Sequence, residues 1–150
     1  TKGHNNFTKI DTKTSEEVVG YVYDKLDTIL GDKYSKIVAL PFGSPYNKTH
    51  ENYSHIITAT YNNKTYTSIG ALRVGWEPEV SPFNKDFDPT FLKRCRAYDN
   101  NGKEFDIDMV FNTILKKKRY ISDGNIDTIV TSSANQSLIN NSIDKKIILY

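Results

Sequence analysis

The sequence predicts an α+β fold, in which one long N-terminal helix packs on a mostly antiparallel β-sheet of hairpins. Three observations support this fold class: an amphipathic run that ends at Leu30, a turn at Asn62–Lys64 between two β-rich stretches, and a second turn at Asp99–Gly102. A helix and a sheet each bury one apolar face, and packing them together buries both. A chain of 150 residues is long enough for one such domain with its own core.

The predicted helix runs from about Ser15 to Leu30. Thr14 and Glu17 have the spacing of a capping box, in which a hydroxyl and a carboxylate each satisfy a free backbone N–H at the helix start. Apolar side chains then recur on one helical face, at Val18, Val22, Leu26, Ile29 and Leu30. Gly31 follows, where a left-handed residue commonly ends a helix. We therefore predict a flexible N-terminal arm over residues 1–13 and a single globular domain over residues 14–150.

The first three predicted strands are a short buried strand and the two strands of a hairpin. Ile37–Leu40 is a short apolar run that Pro41 ends, which is typical of a buried strand. Tyr53–Tyr61 and Thr65–Val74 are rich in β-branched and aromatic residues, and the turn-forming segment Asn62–Lys64 separates them. This pattern predicts two antiparallel strands joined by a tight turn.

The second half of the chain predicts a long loop and another hairpin. Trp76–Pro89 contains three prolines and predicts an irregular loop, a kind of segment that is often functional. Phe91–Tyr98 and Lys103–Val110 flank the second turn and predict a hairpin, although Asp108–Arg119 also fits a helix. Two further strands are predicted near the C-terminal end, at Ile126–Thr131 and Lys146–Tyr150.

Composition narrows the class of protein. The net charge of +2 is too small to indicate nucleic-acid binding by itself, and one cysteine cannot form an internal disulfide framework. No apolar run reaches the roughly 18 residues of a membrane span, so we predict no membrane insertion. Asn, Ile, Lys and Tyr, which have AT-rich codons, are abundant and suggest a low-GC source.

N-x-S/T sequons are more frequent than composition explains. There are six, at Asn6, Asn47, Asn52, Asn63, Asn135 and Asn140, whereas about two are expected by chance. They indicate a glycosylated surface only if the chain enters a eukaryotic secretory path.

The segment His50–His55, HENYSH, differs by one residue from the zinc motif H-E-x-x-H. That motif places two histidines four residues apart on one helical face. A spacing of five turns the rings about 140° apart on a helix and puts them on opposite faces of a strand. We therefore predict neither a metal site nor a cofactor.

An enzyme remains an alternative. A small hydrolase or nuclease would use His50 or His55 together with the carboxylates of Asp106 and Asp108, which share one face of a strand. Cleavage of a phosphodiester by two histidines needs one titrating group on each side of the phosphate. The sequence has one His-x-Thr-like element, at His55–Thr58, and lacks a second copy. The prediction is accordingly a protein that is not an enzyme.

A nucleic-acid-binding domain is a further alternative. Its site would be the basic run and adjacent aromatic residue at Lys116, Lys117, Lys118, Arg119 and Tyr120. Such runs bind phosphate backbones through counterion release. One run in a nearly neutral chain is more typical of a solvated face, so nucleic acid is an unlikely partner.

The aromatic residues of the predicted loops lead to the main functional prediction. Tyrosine and tryptophan offer broad contact area at low entropic cost. The predicted ligand-binding residues are Trp76, Arg73, Glu77, Asn84, Asp86, Tyr46 and Tyr53. They predict a non-catalytic recognition domain, a receptor- or glycan-binding module for host-cell attachment in a surface protein of a virus or other low-GC pathogen. Its partner would be a host receptor protein or glycan, and its location extracellular or on the virion surface, with the cytoplasm as the alternative.

Overall fold

The computed structural model describes residues 1–75, 78–95, 99, 101, 107–115 and 122–150. The chain forms two compact units, of which unit 1 comprises Thr1–Trp76 and Pro89–Arg96 and unit 2 comprises Glu77–Asp88 and Ala97–Tyr150. In chain order, the elements of unit 1 are α1 (Thr12–Leu30), β1 (Ile37–Ala39), α2 (Glu51–Ile57), β2 (Thr58–Tyr61), β3 (Lys64–Thr67), β4 (Gly70–Val74) and β5 (Leu92–Arg94). Those of unit 2 are α3 (Ile107–Met109), which continues as a π-helical turn at Val110–Leu115, then β6 (Thr128–Thr131) and β7 (Lys146–Leu149).

Helix α1 confirms the prediction of a long N-terminal helix, but it begins three residues earlier than predicted. Asp11 is the N-cap, and its carboxylate accepts a hydrogen bond of 2.7 Å from the backbone N–H of Thr14. An aspartate at this position satisfies a free N–H and places negative charge at the positive end of the helix dipole. Thr14 therefore lies inside the first turn, and the helix ends before Gly31, as predicted.

The main sheet of unit 1 is parallel, so the prediction of a mostly antiparallel sheet of hairpins is wrong. Its order is β1-β4-β5, with Ile37 opposite Gly70 and Leu72 opposite Leu92. Strand β4 pairs in parallel with Leu92–Arg94. Much of the second predicted hairpin, including Gly102 and residues 103–106, lies outside the described residues.

The first predicted hairpin exists in a shorter form. Strands β2 and β3 pair antiparallel across Asn62 and Asn63, whose φ angles of 49° and 60° suit a tight two-residue turn. Tyr53–Ile57, predicted as the start of the first strand, belongs to helix α2. Gly70–Val74, predicted as the end of the second strand, leaves the hairpin for the parallel sheet.

The core of unit 1 lies where α1 and α2 pack against the strands. Its fully buried side chains include Phe7, Leu40, Ile56, Ala59 and Ala71. Phe7 precedes α1, so the segment before the first helix contributes to the core. Close approach of α1 to β2 requires a glycine, because a Cβ atom at Gly20 would lie 2.5 Å from the Cβ of Tyr61.

Unit 2 contains two of the predicted strands in parallel pairing. The predictions at Ile126–Thr131 and Lys146–Tyr150 are confirmed in β6 and β7, which pair with Ile129 opposite Ile147. Ile107–Leu115 is helical, so the last residues of the predicted strand Lys103–Val110 are not extended and the helical alternative holds there. Within the described residues, no helix combines the length and apolar character needed to cross a bilayer.

Candidate functional site

A pocket lies at the carboxyl ends of the three parallel strands of unit 1, and we call it the carboxyl-edge pocket. Its lining comprises Thr1, Gly3, His4, Ala39, Leu40, Pro41, Phe42, Val74 and Arg94. Ala39, Val74 and Arg94 are the last residues of β1, β4 and β5. Ligands of open sheets with parallel strands characteristically bind at this edge, because the loops that leave the strands converge there.

Phe42 is held in a strained backbone conformation at the mouth of this pocket. Its φ of 58° and ψ of 7° lie in the left-handed region, and its side chain is 54% exposed. Two turn hydrogen bonds of 3.0 Å enforce the conformation, from the N–H of Gly43 to the carbonyl of Leu40 and from the N–H of Ser44 to the carbonyl of Pro41. A bulky residue in this region costs about 1–3 kcal/mol, and such strain clusters at functional sites.

Gly43 lets the strained turn pack closely on β4. Its φ is 71°, and a Cβ atom there would lie 3.2 Å from the Cβ of Val74 and 3.3 Å from the backbone nitrogen of Val74. The turn after β1 is therefore pressed against the end of β4, which brings Phe42 to the pocket.

The segment before α1 forms another wall of the pocket. The ring of His4 meets that of Phe42 nearly edge-on, with centroids 4.8 Å apart and planes at 71°. Buried hydrogen bonds anchor this segment a few residues later. The N–H of Phe7 donates to Ser44 Oγ at 2.7 Å, and Asn52 Nδ2 donates to the carbonyls of Phe7 and Ile10 at 2.6 and 2.7 Å.

Arg94 gives the pocket its permanent positive charge. It is exposed at the end of β5, and its carbonyl accepts a hydrogen bond of 3.2 Å from the N–H of Gly75. Among the described residues that line the pocket, none has a carboxylate side chain. An arginine beside apolar and aromatic surface can bind an anionic group while the rest of the ligand packs on the rings.

Two of the predicted ligand-binding residues, Arg73 and Tyr53, meet on one aromatic ring outside the pocket lining. The Arg73 guanidinium lies 4.9 Å from the ring centroid of Phe91, and the Tyr53 ring meets the same ring edge-on at 5.5 Å. The Tyr53 hydroxyl also donates to the carbonyl of Thr90 at 2.9 Å. These contacts stabilise the 3₁₀ turn Pro89–Phe91, which immediately precedes β5 in the chain.

The remaining predicted ligand-binding residues fall into three groups. Tyr46 is exposed in the loop after β1. Asn84 and Asp86 belong to unit 2, where Asn84 Oδ1 accepts a hydrogen bond of 2.9 Å from the N–H of Asp86 in a local turn. Trp76 and Glu77 lie outside the described residues, and the site formed by the whole set stays a prediction.

The two histidines of HENYSH have separate structural contacts. His50 is the N-cap of α2, and its Nδ1 accepts a hydrogen bond of 3.2 Å from the N–H of Asn52. His55 lies within α2, and its Nδ1 is 2.5 Å from Glu16 Oε1 on α1. In the part of the chain that the structure describes, no group of three metal-binding side chains is close enough to hold an ion.

The other predicted functional groups lie mostly beyond the described ranges. Asp106 is not among the described residues, whereas Asp108 lies in α3. The basic run Lys116, Lys117, Lys118, Arg119 and Tyr120 is also outside them. Cys95 is half-buried, and burial raises the pKa of its thiol, so the thiol stays protonated at neutral pH.

Sequence reasoning did not identify Phe42, His4 or Arg94 as parts of one site. The available signal was a short apolar strand followed at once by Pro41, Phe42 and Gly43, a composition that indicates a sharp turn. The partners of this turn come from the N-terminal segment and from a strand about 50 residues later in the chain. Such pairing depends on sheet topology.

In comparisons with protein-family models, with curated proteins and with solved structures, no match to this chain was found.

Proposed function

We propose that this chain is a non-catalytic recognition domain that binds a small ligand, with glycans as the expected class, in the carboxyl-edge pocket of unit 1. One observation carries the proposal: the strained, half-exposed Phe42 lies where three parallel strands end and lines the pocket there. Both features are characteristic of ligand sites.

The size and mixed chemistry of the pocket support a small-molecule ligand. It encloses about 570 Å³, within the roughly 300–1,000 Å³ of typical ligand pockets. Phe42 and Val74 supply apolar surface, whereas His4 and Arg94 supply polar groups. Sugars need this combination, because a pyranose ring has an apolar face and a rim of hydroxyls.

Exposed aromatic residues in the loop after β1 support the proposal that the domain also contacts a larger partner. Its aromatic residues Phe42 and Tyr46 are 54% and 63% exposed, although aromatic side chains are normally more buried. Exposed aromatic rings on a loop give strong contacts in protein and carbohydrate interfaces. We therefore propose that the partner is a host receptor protein or glycan and that the domain is extracellular or on the virion surface.

Glycan-array binding followed by NMR titration tests this function. We expect a subset of glycans to bind and to shift the amide resonances of Gly43, Val74 and Arg94. The Phe42→Ala variant should weaken binding at least tenfold, since the aromatic wall is lost. The matched control is Phe111→Ala, because Phe111 is an exposed phenylalanine of unit 2. Absence of binding to every glycan, or undiminished binding by Phe42→Ala, would refute the proposal.

A small hydrolase is the second candidate, and one contact favours it. Glu16 Oε1 lies 2.5 Å from His55 Nδ1, an arrangement in which a carboxylate orients an imidazole and leaves its Nε2 to act as a base. Activated phosphodiester and ester substrates test this candidate. A turnover that His55→Ala abolishes and that the helix-capping variant His50→Ala retains would support it. No turnover, or equal turnover by His55→Ala, would exclude it.

A further inference from the structure

The charge of the carboxyl-edge pocket points to one class of ligand, and this inference rests on the proposed function. We infer that the ligand is an acidic sugar whose carboxylate binds Arg94 while its ring packs on the apolar wall at Phe42. Each part of this assignment follows from a property of the described lining residues.

The first property is the sign of the charge. Arg94 carries a positive charge, and none of the described lining residues has an acidic side chain. The Lys36–Asp27 and His55–Glu16 ion pairs do not involve Arg94. The guanidinium is therefore available to an external anion, and the pocket disfavours a cationic ligand.

The second property distinguishes a carboxylate from a phosphate. Phosphate sites commonly use several backbone N–H groups, at a helix start or in a glycine-rich loop. In the turn after β1, Pro41 has no N–H, and the N–H groups of Gly43 and Ser44 donate to the carbonyls of Leu40 and Pro41. The N–H of Gly75, at the end of β4, donates to the carbonyl of Arg94. These three amides are occupied, and the planar fork of Arg94 matches a carboxylate with two parallel hydrogen bonds.

The third property is the wall beside the charge. Phe42 and Val74 form apolar surface in the same lining as Arg94. A free carboxylate of two or three carbons would leave this surface in contact with water. A ring of pyranose size would cover it, and C–H groups on one face of the sugar would pack against the aromatic ring.

Calorimetric titration with defined sugars tests the assignment. The probes are N-acetylneuraminic acid and glucuronic acid, compared with the neutral N-acetylglucosamine and glucose and with glucose 6-phosphate. We expect the two acidic sugars to bind at least tenfold more tightly than the neutral sugars, and the difference to shrink as salt is added. Glucose 6-phosphate should bind more weakly than glucuronic acid.

Substitutions at Arg94 supply the second arm of the test. Arg94→Gln should weaken binding of acidic sugars about 10- to 100-fold and leave neutral sugars unchanged, because one charge-assisted contact is lost. Arg94→Lys should give an intermediate affinity, since it retains the charge without the fork. Lys33→Gln, which removes an exposed charge of unit 1 outside the pocket lining, is the matched control. Circular dichroism of each variant verifies that it is folded.

The possible failures are distinguishable. If neutral and acidic sugars bind equally and Arg94→Gln changes neither, the acidic-sugar inference is overturned while the recognition function stands. If glucose 6-phosphate binds more tightly than glucuronic acid, the carboxylate assignment is overturned. If no sugar or larger glycan binds, the proposed function itself fails, and this inference fails with it.

Discussion

The side-chain amide of Asn52 in α2 lies 2.6 Å from the carbonyl oxygen of Phe7, in the segment that precedes α1. The same nitrogen donates to the carbonyl of Ile10 at 2.7 Å, and the Asn52 side chain is fully buried. Within the described residues, Asn52 Oδ1 has no hydrogen-bond partner. Asn52 therefore holds the N-terminal segment against the core by its two N–H donors alone.

Replacing the side-chain amide of Asn52 should destabilise unit 1. Asn52→Asp has nearly the same shape, but it places a carboxylate against two carbonyl oxygens in a buried site. We expect a loss of about 3–5 kcal/mol in the free energy of unfolding, measured by urea denaturation. Asn47→Asp is the matched control: Asn47 is exposed, and a carboxylate can still accept its hydrogen bond from Thr49 Oγ1. A loss no larger than that of the control would contradict the role assigned to Asn52.

The burial of Asn52 also bears on glycosylation, because Asn52, Tyr53 and Ser54 form a sequon. An N-linked glycan would attach to the nitrogen that makes both buried hydrogen bonds, so a chain glycosylated there cannot adopt this fold. In eukaryotic secretory expression, Ser54→Ala should therefore raise the yield of folded protein. Ser54 is exposed, and its hydroxyl makes one local hydrogen bond of 3.3 Å.

The matched control for this experiment removes another sequon. Thr65→Ala abolishes the sequon of Asn63, which is exposed in the turn of the β2–β3 hairpin, and should leave the yield unchanged. Mass spectrometry of the secreted protein supplies the decisive measurement. Folded, secreted molecules that carry a glycan on Asn52 would show that the prediction is wrong.

Gly20 in α1 provides a test of the packing between helix and hairpin. Gly20→Ala should destabilise unit 1, because the added methyl group would lie 2.5 Å from the Cβ of Tyr61. Overpacking costs about 1–3 kcal/mol and should outweigh the gain of about 1 kcal/mol in helix propensity. Thermal unfolding measures the effect, with Lys25→Ala as the control on the exposed face of α1. A variant more stable than the parent would contradict this packing.

The stability of unit 1 should fall in acid because of Asp27. The hydrogen bond from the Tyr34 hydroxyl, 2.6 Å long, lowers the pKa of Asp27, and Lys36 at 3.6 Å lowers it further. A carboxyl group with a lowered pKa in the folded state stabilises the fold above its ordinary pKa of 3.8, and this stabilisation is lost as the pH falls through the folded-state value.

Urea unfolding at pH 7 and at successively lower pH values below 4 measures this contribution. Asp27→Asn should flatten the decrease in stability with acid, since the asparagine side chain does not titrate. Asp32→Asn, which changes an exposed carboxylate after α1, should retain the decrease of the parent. An unchanged slope in Asp27→Asn would mean that other groups cause the acid sensitivity.

Strain at Phe42 predicts a conflict between stability and binding. Phe42→Gly should stabilise unit 1 by up to about 1 kcal/mol, because relief of about 1–3 kcal/mol of strain exceeds the entropic cost of a glycine. The same variant should weaken ligand binding, as it removes the aromatic wall. Tyr46→Gly is the control: Tyr46 is also exposed, but its φ is not positive, so the substitution should bring no gain. Equal stability changes in the two variants would argue against strain at Phe42.

Local interactions made several elements predictable from the sequence. The apolar period and the glycine of α1, the paired asparagines of the β2–β3 turn and the β-branched residues of β6 all act over a few neighbouring residues. Their positions were predicted to within a few residues. The start of α1 was missed, because Asp11 and Thr14 are both good N-caps and the geometry of the chain selects between them.

Pairing between distant segments required the tertiary structure. The apolar run at Ile37–Leu40 is compatible with parallel or antiparallel neighbours, and the loop that follows β4 leaves the partner of Leu92–Arg94 undetermined. The predicted strand at Tyr53–Ile57 became part of α2, where burial of Ile56 in the core and the hydrogen bonds of Asn52 to the N-terminal segment outweigh a β-rich composition.

The sequence by itself determined where the long helix, the hairpin turn and several strands lie, because hydrogen bonds and side-chain periodicity within a short segment decide these features. Tertiary structure alone decided that the strands of unit 1 run parallel and that His4, Phe42 and Arg94 line one pocket. The physical reason is that contacts between distant segments form only when the whole core is buried. Their free energy depends on the arrangement of the sheet, which short-range patterns do not specify.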